Sequence, residues 1–356
     1  MTNVNLAIPS QDESRACLPS WQERSKRVVG EFAPGVLLSI TMAMAAMFVH
    51  EHYGGPAMLY ALLFGMAFNF LRTDERFTPG TTFAAKQILR IGVALLGVRI
   101  TLGDVSALGV PVALMIGAGV FLTITIGTAV GRMLGLKNDQ AILSAVAVAI
   151  CGASAALAIS AVLPRHENSE RNTIMAVIGV TTLSTFAMIL YPICASWLGL
   201  SDQEAGVFIG ATIHDVAQVV GAGYMISDEA GETATIVKLM RVSCLVPVVF
   251  VVGLMFRAQN GSTRKSRPPL FPLFLVGFVL LVVANSVGLI PGAMVTTASD
   301  LSRYALITAV AALGMKTSLP EIVRVGVRPV LLLTIQTALL ALFVLGVLTF
   351  VFQSMQ

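Results

Sequence analysis

The chain has 356 residues, 56% of them hydrophobic and 12% charged, with a mean hydropathy of +0.84 and a formal net charge of +4. Soluble proteins carry about 25% charged residues, so a soluble globular fold is excluded and an all-α polytopic membrane protein is expected, because helices satisfy their own backbone in lipid. The basic residues flank apolar stretches instead of sharing one polar face, which argues against nucleic acid as a partner.

Residues 1–30 are polar, contain Arg15, Arg24, Lys26 and Arg27, and lack the apolar run of a secretory signal. They are expected to form a retained cytoplasmic tail, mainly disordered. A helix crosses the bilayer with about 20 apolar residues, and on that basis about 11 spans follow, near 32–50, 55–71, 81–100, 108–134, 140–163, 173–198, 203–225, 236–257, 269–288, 301–317 and 328–352. They group into an N-terminal membrane half (31–163), central spans (164–235) and a C-terminal half (236–356). Basic residues cluster in the tail and in alternate connections, which places the N-terminus in the cytoplasm.

An internal repeat is visible. VALLGVRITLGDVSALGV (93–110) aligns without gaps on VAALGMKTSLPEIVRVGV (310–327), pairing Arg99 with Lys316 and Asp104 with Glu321. The same register pairs Lys86 with Arg303, and one register earlier Asn69 pairs with Asn285. The paired spans would cross in opposite directions, an inverted-topology repeat of the kind secondary transporters use.

The seventh span, GVFIGATIHDVAQVVGAG (206–223), holds His214, Asp215 and Gln218 among glycines. A charge at mid-bilayer costs about 2.5–3.5 kcal/mol on insertion scales and is seldom kept there without a use. Glycine lets a helix break, and broken helices survive in membranes only inside protein or around a wet cavity. The fifth span, AVAVAICGASAALAIS (145–160), has the same character. Two such spans point to a transporter's substrate site.

A break at Gly210 would let Thr212 cap a second half-helix, with Asp215 closing a capping box and a positive helix end facing an anion. His214 would face the cavity or a neighbouring helix. The plainer alternatives are a purely capping Asp215, a His214 that bridges two spans and a Gln218 that packs between helices. In the fifth span, Gly152 frees the backbone beside Cys151, and Ser154 offers a hydroxyl, although small residues there equally permit close helix packing. Asn138 and Ser201 are the expected N-caps of the two broken spans.

The third span is cationic. Lys86 and Arg90 share a helical face, whereas Lys86 and Arg99 stand roughly 20 Å apart along a helix, near opposite surfaces. Arg90, about 6 Å deeper than Lys86, is the candidate to counter an anion or pair with Asp215. Lys238 and Arg241, in TIVKLMR, are expected where the eighth span opens and could flank an entrance, Lys238 as an interfacial anchor. Cys17, Cys151, Cys194 and Cys244 form no C-x-x-C pair and read as free thiols. Enzyme motifs are absent, and with four histidines in the chain neither an intramembrane metal cluster nor a cofactor is expected.

AICGASAA, GATIHDVAQVVGAG with the later TIVKLMR, and LRIGVALLGVRI resemble the family of bacterial inner-membrane proteins described as sulfate exporters. The resemblance runs from about residue 30 to the C-terminus and implies similarity to the cation–proton antiporter and bile-acid transporter group. That group has inverted repeats, broken crossing helices and a panel that often forms homodimers. By position it implies Cys151, Gly152, Ser154, Thr212, His214, Asp215 and Gln218 as substrate-binding, with Arg90 and Arg241 as charge partners; Gly210 joins them from the expected break. The group's paired aspartates have no match, since Asp215 is the one mid-membrane carboxylate, which favours proton over sodium coupling through His214 and Asp215. The expected activity is secondary transport of a small anion such as sulfate, sulfite or a sulfonate, with cation–proton antiport as the alternative.

Overall fold

A computed structural model describes residues 21–164, 167–256, 273–317 and 327–353. Tail residues 1–20, Arg165, the basic cluster of Arg257, Arg264, Lys265 and Arg267, and the second repeat copy at 318–326 with Glu321 and Arg324 lie outside them.

The described secondary structure is helical, with no strand among the described residues. The order is α1 (Trp21–Tyr53), α2 (Ala57–Ala67), a 3₁₀ turn (Asn69–Thr73), α3 (Thr78–Phe83), a π-helical turn (Ala84–Ile88) and α4 (Leu89–Leu96). There follow α5 (Leu102–Ala107), α6 (Gly109–Met133), α7 (Asn138–Ala149), α8 (Ala153–Ser160), α9 (Ser169–Trp197), α10 (Asp202–Thr212) and α11 (Val216–Tyr224). The chain continues with α12 (Asp228–Ser243), α13 (Leu245–Met255), α14 (Leu273–Ser286), α15 (Gly292–Lys316) and α16 (Val327–Gln353).

Five stretches are long and apolar enough to cross a membrane: Gly30–Tyr53, Gly109–Met133, Ser169–Trp197, Asp228–Met255 and Pro329–Phe350. Their surfaces are apolar on the outside, with Leu114, Phe121, Ile193, Phe250 and Leu342 all exposed. Contiguous apolar surface on this scale suits lipid, not water.

Several boundaries differ from the expected ones. α1 begins at Trp21, inside the stretch expected to be disordered. α15 starts at Gly292, well before 301, and α12 starts at Asp228, well before 236. Each of these helices opens with a polar first stretch that hydropathy alone does not count as span. The fifth and seventh spans are each split in two. Ser201 is an N-cap with a full capping box to Glu204. Asn138 is not a cap: it is the first helical residue after Lys137, and its Oδ1 accepts from the Arg132 guanidinium.

α2, α4, α14 and α15 pack through glycine. A Cβ on Gly314 would lie 3.0 Å from the Gly65 Cα, and one on Gly97 would lie 2.6 Å from the Phe278 carbonyl oxygen. Such close approach is how membrane helices gain contact without a hydrophobic drive. Asn69 Nδ2 donates to the Met315 carbonyl at 2.9 Å and to that of Thr317, while Asn285 Nδ2 donates to the Ile100 carbonyl at 3.5 Å. α4 and α15 are joined by the Ser302 hydroxyl, which donates to the Gly92 carbonyl at 2.7 Å.

Gly314→Leu should force α2 and α15 apart at a backbone-to-backbone contact. Overpacking of this kind costs about 1–3 kcal/mol. A melt of the detergent-solubilised protein should show a clear drop, and an unchanged midpoint would rule out the close packing described.

Candidate functional site

The two broken spans meet at their breaks. α7 ends at Ala149, and the chain turns through Ile150 and Cys151 to Gly152, which has φ +64° and precedes α8. That left-handed value favours glycine, which has no Cβ to clash. α10 ends at Thr212, Ile213 is extended, and Asp215 is the N-cap of α11. A Cβ on Gly152 would lie 3.4 Å from the His214 Cβ, so the two breaks touch.

A helix C-terminus leaves carbonyls without partners, and its dipole gives it a partial negative charge. Two such ends, of α7 and α10, converge here on α12. Lys238 and Arg241, three apart and so on one helical face, are 0% and 1% exposed. Lys238 Nζ donates to the Ile150 and Ile213 carbonyls, both at 2.8 Å. Arg241 Nε donates to Ala149 at 2.6 Å, one terminal nitrogen donates to Ala211 at 2.8 Å and Ile213 at 3.2 Å, and the other donates to Val148. Each cation therefore ties both broken helices together. This corrects the expected placement, in which Lys238 anchors at the interface and Arg241 flanks an entrance. The polar start of α12, DEAGETAT, carries both residues about three turns or more into the helix.

The two helix N-termini at the breaks are unequal. At α11, Asp215 Oδ1 accepts from the Ala217 N–H at 2.8 Å, and the buried Ser184 hydroxyl of α9 accepts from the N–H groups of His214 and Asp215, both at 3.1 Å. That end is filled by a carboxylate and a hydroxyl. At α8 no side chain caps the helix. Ser154, in the first turn of α8, is exposed.

His214 is 1% exposed. Its Nε2 is 3.0 Å from the Thr337 hydroxyl on α16. Nδ1, towards the Val148 carbonyl, closes no hydrogen bond of good geometry. Gln218 donates to the Thr185 hydroxyl at 2.8 Å and packs α11 on α9, as its plainer reading has it.

The structure thus brings Cys151, Gly152, His214, Asp215 and Arg241 together, with Ser154 and Gln218 at the margins. Three expectations fail. Thr212 is no N-cap: it closes α10, and its hydroxyl donates back to the Phe208 carbonyl at 2.5 Å. Gly210 is not the break: it lies inside α10, where a Cβ would sit 2.8 Å from the Val237 Cβ of α12. Arg90 is exposed, as is Lys86, and neither forms an ion pair with Asp215 among the described residues. The π-helical turn at Ala84–Ile88 shifts the helical phase, so depth counted along an ideal helix does not say which residue faces inward. Ser184 and Thr337 escaped the sequence reading. Their signal was a hydroxyl inside an apolar span, shared by many threonines and serines that only bond back to their own helix.

Arg241→Met should leave the carbonyls of Val148, Ala149 and Ala211 unpaired, at about 1–3 kcal/mol each. Almost no folded protein should be recovered in detergent, and Arg241→Lys, which lacks the planar fork, should rescue it only in part. Ser154→Ala should stay within about 0.5 kcal/mol of the parent. A normal melt for Arg241→Met would contradict the clamp.

A family model described as conserved hypothetical protein 698 matches residues 34–333. The UPF0324 membrane protein CT0845 of Chlorobaculum tepidum is 49% identical over 352 residues, covering 97% of this chain and 98% of that protein. The UPF0324 membrane protein TauZ of Paracoccus denitrificans is 50% identical over 323 residues, 90% of this chain and 96% of that protein. The UPF0324 membrane protein RB0971 of Rhizobium meliloti is 49% identical over 321 residues, 90% and 93% of the two chains. No solved structure matches the chain. With identity near one half sustained over nearly whole chains, this apolar helical protein belongs to the conserved hypothetical protein 698 family of membrane proteins.

Proposed function

We propose that the protein is a secondary active transporter of a small anion, of the sulfate, sulfite or sulfonate class, working by alternating access. One observation carries the reading. Two helices break at a common point, their negative ends are neutralised by Lys238 and Arg241, and the positive end of α8 stays without a side-chain cap beside a buried histidine. An uncapped N-terminus offers N–H donors and positive potential to an anion. Cys151, Gly152 and His214 would form the wall of that site, with Ser154 at its edge. His214 and Asp215 would carry a coupled proton, one holding it while the other releases it.

Alternating access needs two half-structures that exchange roles, and an inverted repeat supplies them. Reciprocal contacts support that repeat. In the registers that pair Gly97 with Gly314 and Asn69 with Asn285, Gly97 meets Phe278 and Leu281 of α14, while Gly314 meets Leu62 and Gly65 of α2, the equivalent positions. Likewise Asn69 donates to the Thr317 carbonyl and Asn285 to that of Ile100, which are equivalent positions too. Chance likeness between apolar segments would not swap its contacts in this way. The repeat brings with it the expected count of about 11 spans, the short helices crossing in pairs. The basic tail and loops favour an inner-membrane protein with a cytoplasmic N-terminus.

A second reading, cation–proton antiport, draws on Asp215, a half-buried carboxylate at the crossing. Proteoliposomes separate the two. Labelled sulfate or sulfite should move with an imposed pH gradient, and His214→Ala should lower that flux at least tenfold while leaving the melt close to wild type. Sodium or potassium exchange with protons, without anion flux, would replace the anion reading by the antiport one. Flux of neither kind would remove both.

A further inference from the structure

We propose that the cavity between α1, α11, α12 and α15 binds a small zwitterion, an ammonium and an oxyanion joined by a short hydrocarbon link. The oxyanion sits at Arg303 and the ammonium at Asp228. None of the residues lining this cavity belongs to the helix crossing, so the site stands apart from the transport reading given above.

The cavity encloses about 410 Å³, within the range of about 300–1,000 Å³ that small-molecule pockets occupy. Arg99, Arg303 and Asp228 line it, and Asp228 is the one carboxylate among the lining residues. Glu232 takes the Arg99 guanidinium at 2.7 Å, whereas Asp228 reaches it only at 3.6 Å, with 71% of its side chain exposed. Arg99 is thereby matched by Glu232, and Asp228 is the surplus acid. Arg303 is the surplus base. One of its terminal nitrogens meets the His50 Nε2 at 3.2 Å, and among the described residues no carboxylate lies within ion-pair distance of it. The His50 Nδ1 is 2.5 Å from the Gly55 carbonyl and donates to it. That leaves Nε2 as the acceptor for Arg303, and an imidazole bonded in this way brings no negative charge to offset the guanidinium.

Surplus charges of opposite sign therefore line one cavity without touching each other. A simple anion drawn to Arg303 also meets the field of Asp228 and Glu232, and a simple cation drawn to Asp228 meets that of the two arginines. A ligand with one charge of each sign satisfies both. The arginine fork matches an oxyanion, and an exposed carboxylate accepts readily from an ammonium. Met58, Leu96, Met225 and Leu306 add apolar wall for the hydrocarbon link. Tyr224 also lines the cavity, with its ring against Gly231 of α12, where a Cβ would lie 2.5 Å from the ring Cγ. Its buried hydroxyl has no hydrogen-bond partner among the described residues. A buried hydroxyl left unpaired is unfavourable, and a ligand oxygen in this cavity supplies the missing partner.

Such a zwitterion is either a free amino acid or amino sulfonate, or the headgroup of phosphatidylethanolamine. The full chain is purified in detergent, and equilibrium binding of labelled β-alanine and 2-aminoethanesulfonate is measured with propanoate, ethanesulfonate and ethylamine as competitors. A labelled zwitterion should bind saturably, and each compound lacking one charge should compete about tenfold more weakly or worse. Asp228→Asn should abolish the preference for the zwitterion over the anions, and Arg303→Gln its preference over ethylamine. Arg303→Lys should recover affinity to within about threefold of wild type. In vesicles, displacement of the label by phosphatidylethanolamine but not by phosphatidylglycerol, dependent on Asp228 and Arg303, would assign the same site to the headgroup. Anions that compete as well as the zwitterions, or a selectivity that Asp228→Asn leaves unchanged, would overturn the proposal. So would the absence of saturable binding from either source. Sulfate flux that depends on His214 while no zwitterion binds would remove this site and leave the transport reading; zwitterion binding without anion flux would do the reverse.

Discussion

The structure depends on two buried cations of one helix. Lys238 and Arg241 accept the cost of leaving water because they meet the carbonyl ends of α7 and α10. Neither party is stable alone. A buried cation needs opposite charge and full hydrogen bonding, and two helix ends within a membrane would leave carbonyls that nothing in hydrocarbon can satisfy. The negative ends of two helix dipoles stand in for a carboxylate, so the site can stay cationic without an acidic partner to quench it.

That arrangement decides the chemistry of the opposite helix ends. With the negative ends tied down, the positive ends of α8 and α11 remain to set the local potential. Asp215 and Ser184 fill the second, and the first has no side-chain cap. The asymmetry leaves α8 with the freer N–H donors, and it separates His214, buried with an unpaired Nδ1, from Asp215, which is occupied in part as a cap. The same division explains why the cations that the sequence places in this region have different work. Lys238 and Arg241 hold the crossing together, whereas Arg303 and Lys86 lie at exposed positions outside it.

Much of the fold was legible from residue order. Apolar stretches of bilayer length located the helices, and glycine with a polar residue in mid-span marked both breaks. The breaks are cheap to recognise because an ordinary membrane span has no reason to hold His214 and Asp215. Placing them within a few residues was harder. Gly210 looks like a breaker, yet it serves close packing on Val237, while the actual turn falls at Ile213 and His214. Gly152, by contrast, adopts the left-handed conformation that glycine alone accepts easily. Glycine has two uses in membrane helices, and sequence does not separate them.

The sequence by itself determined the solvent this chain lives in, the helical class that follows from it and the existence of two interrupted spans. These are properties of local hydropathy and local backbone freedom. Only the tertiary structure decided which charges face which. Lys238 and Arg241 look like surface anchors until α7 and α10 bring their carbonyl ends against α12; Arg90 looks interior until a π-helical turn changes the phase of its helix. A charged side chain in a membrane is read by its partners, and those partners come from segments far away in the chain.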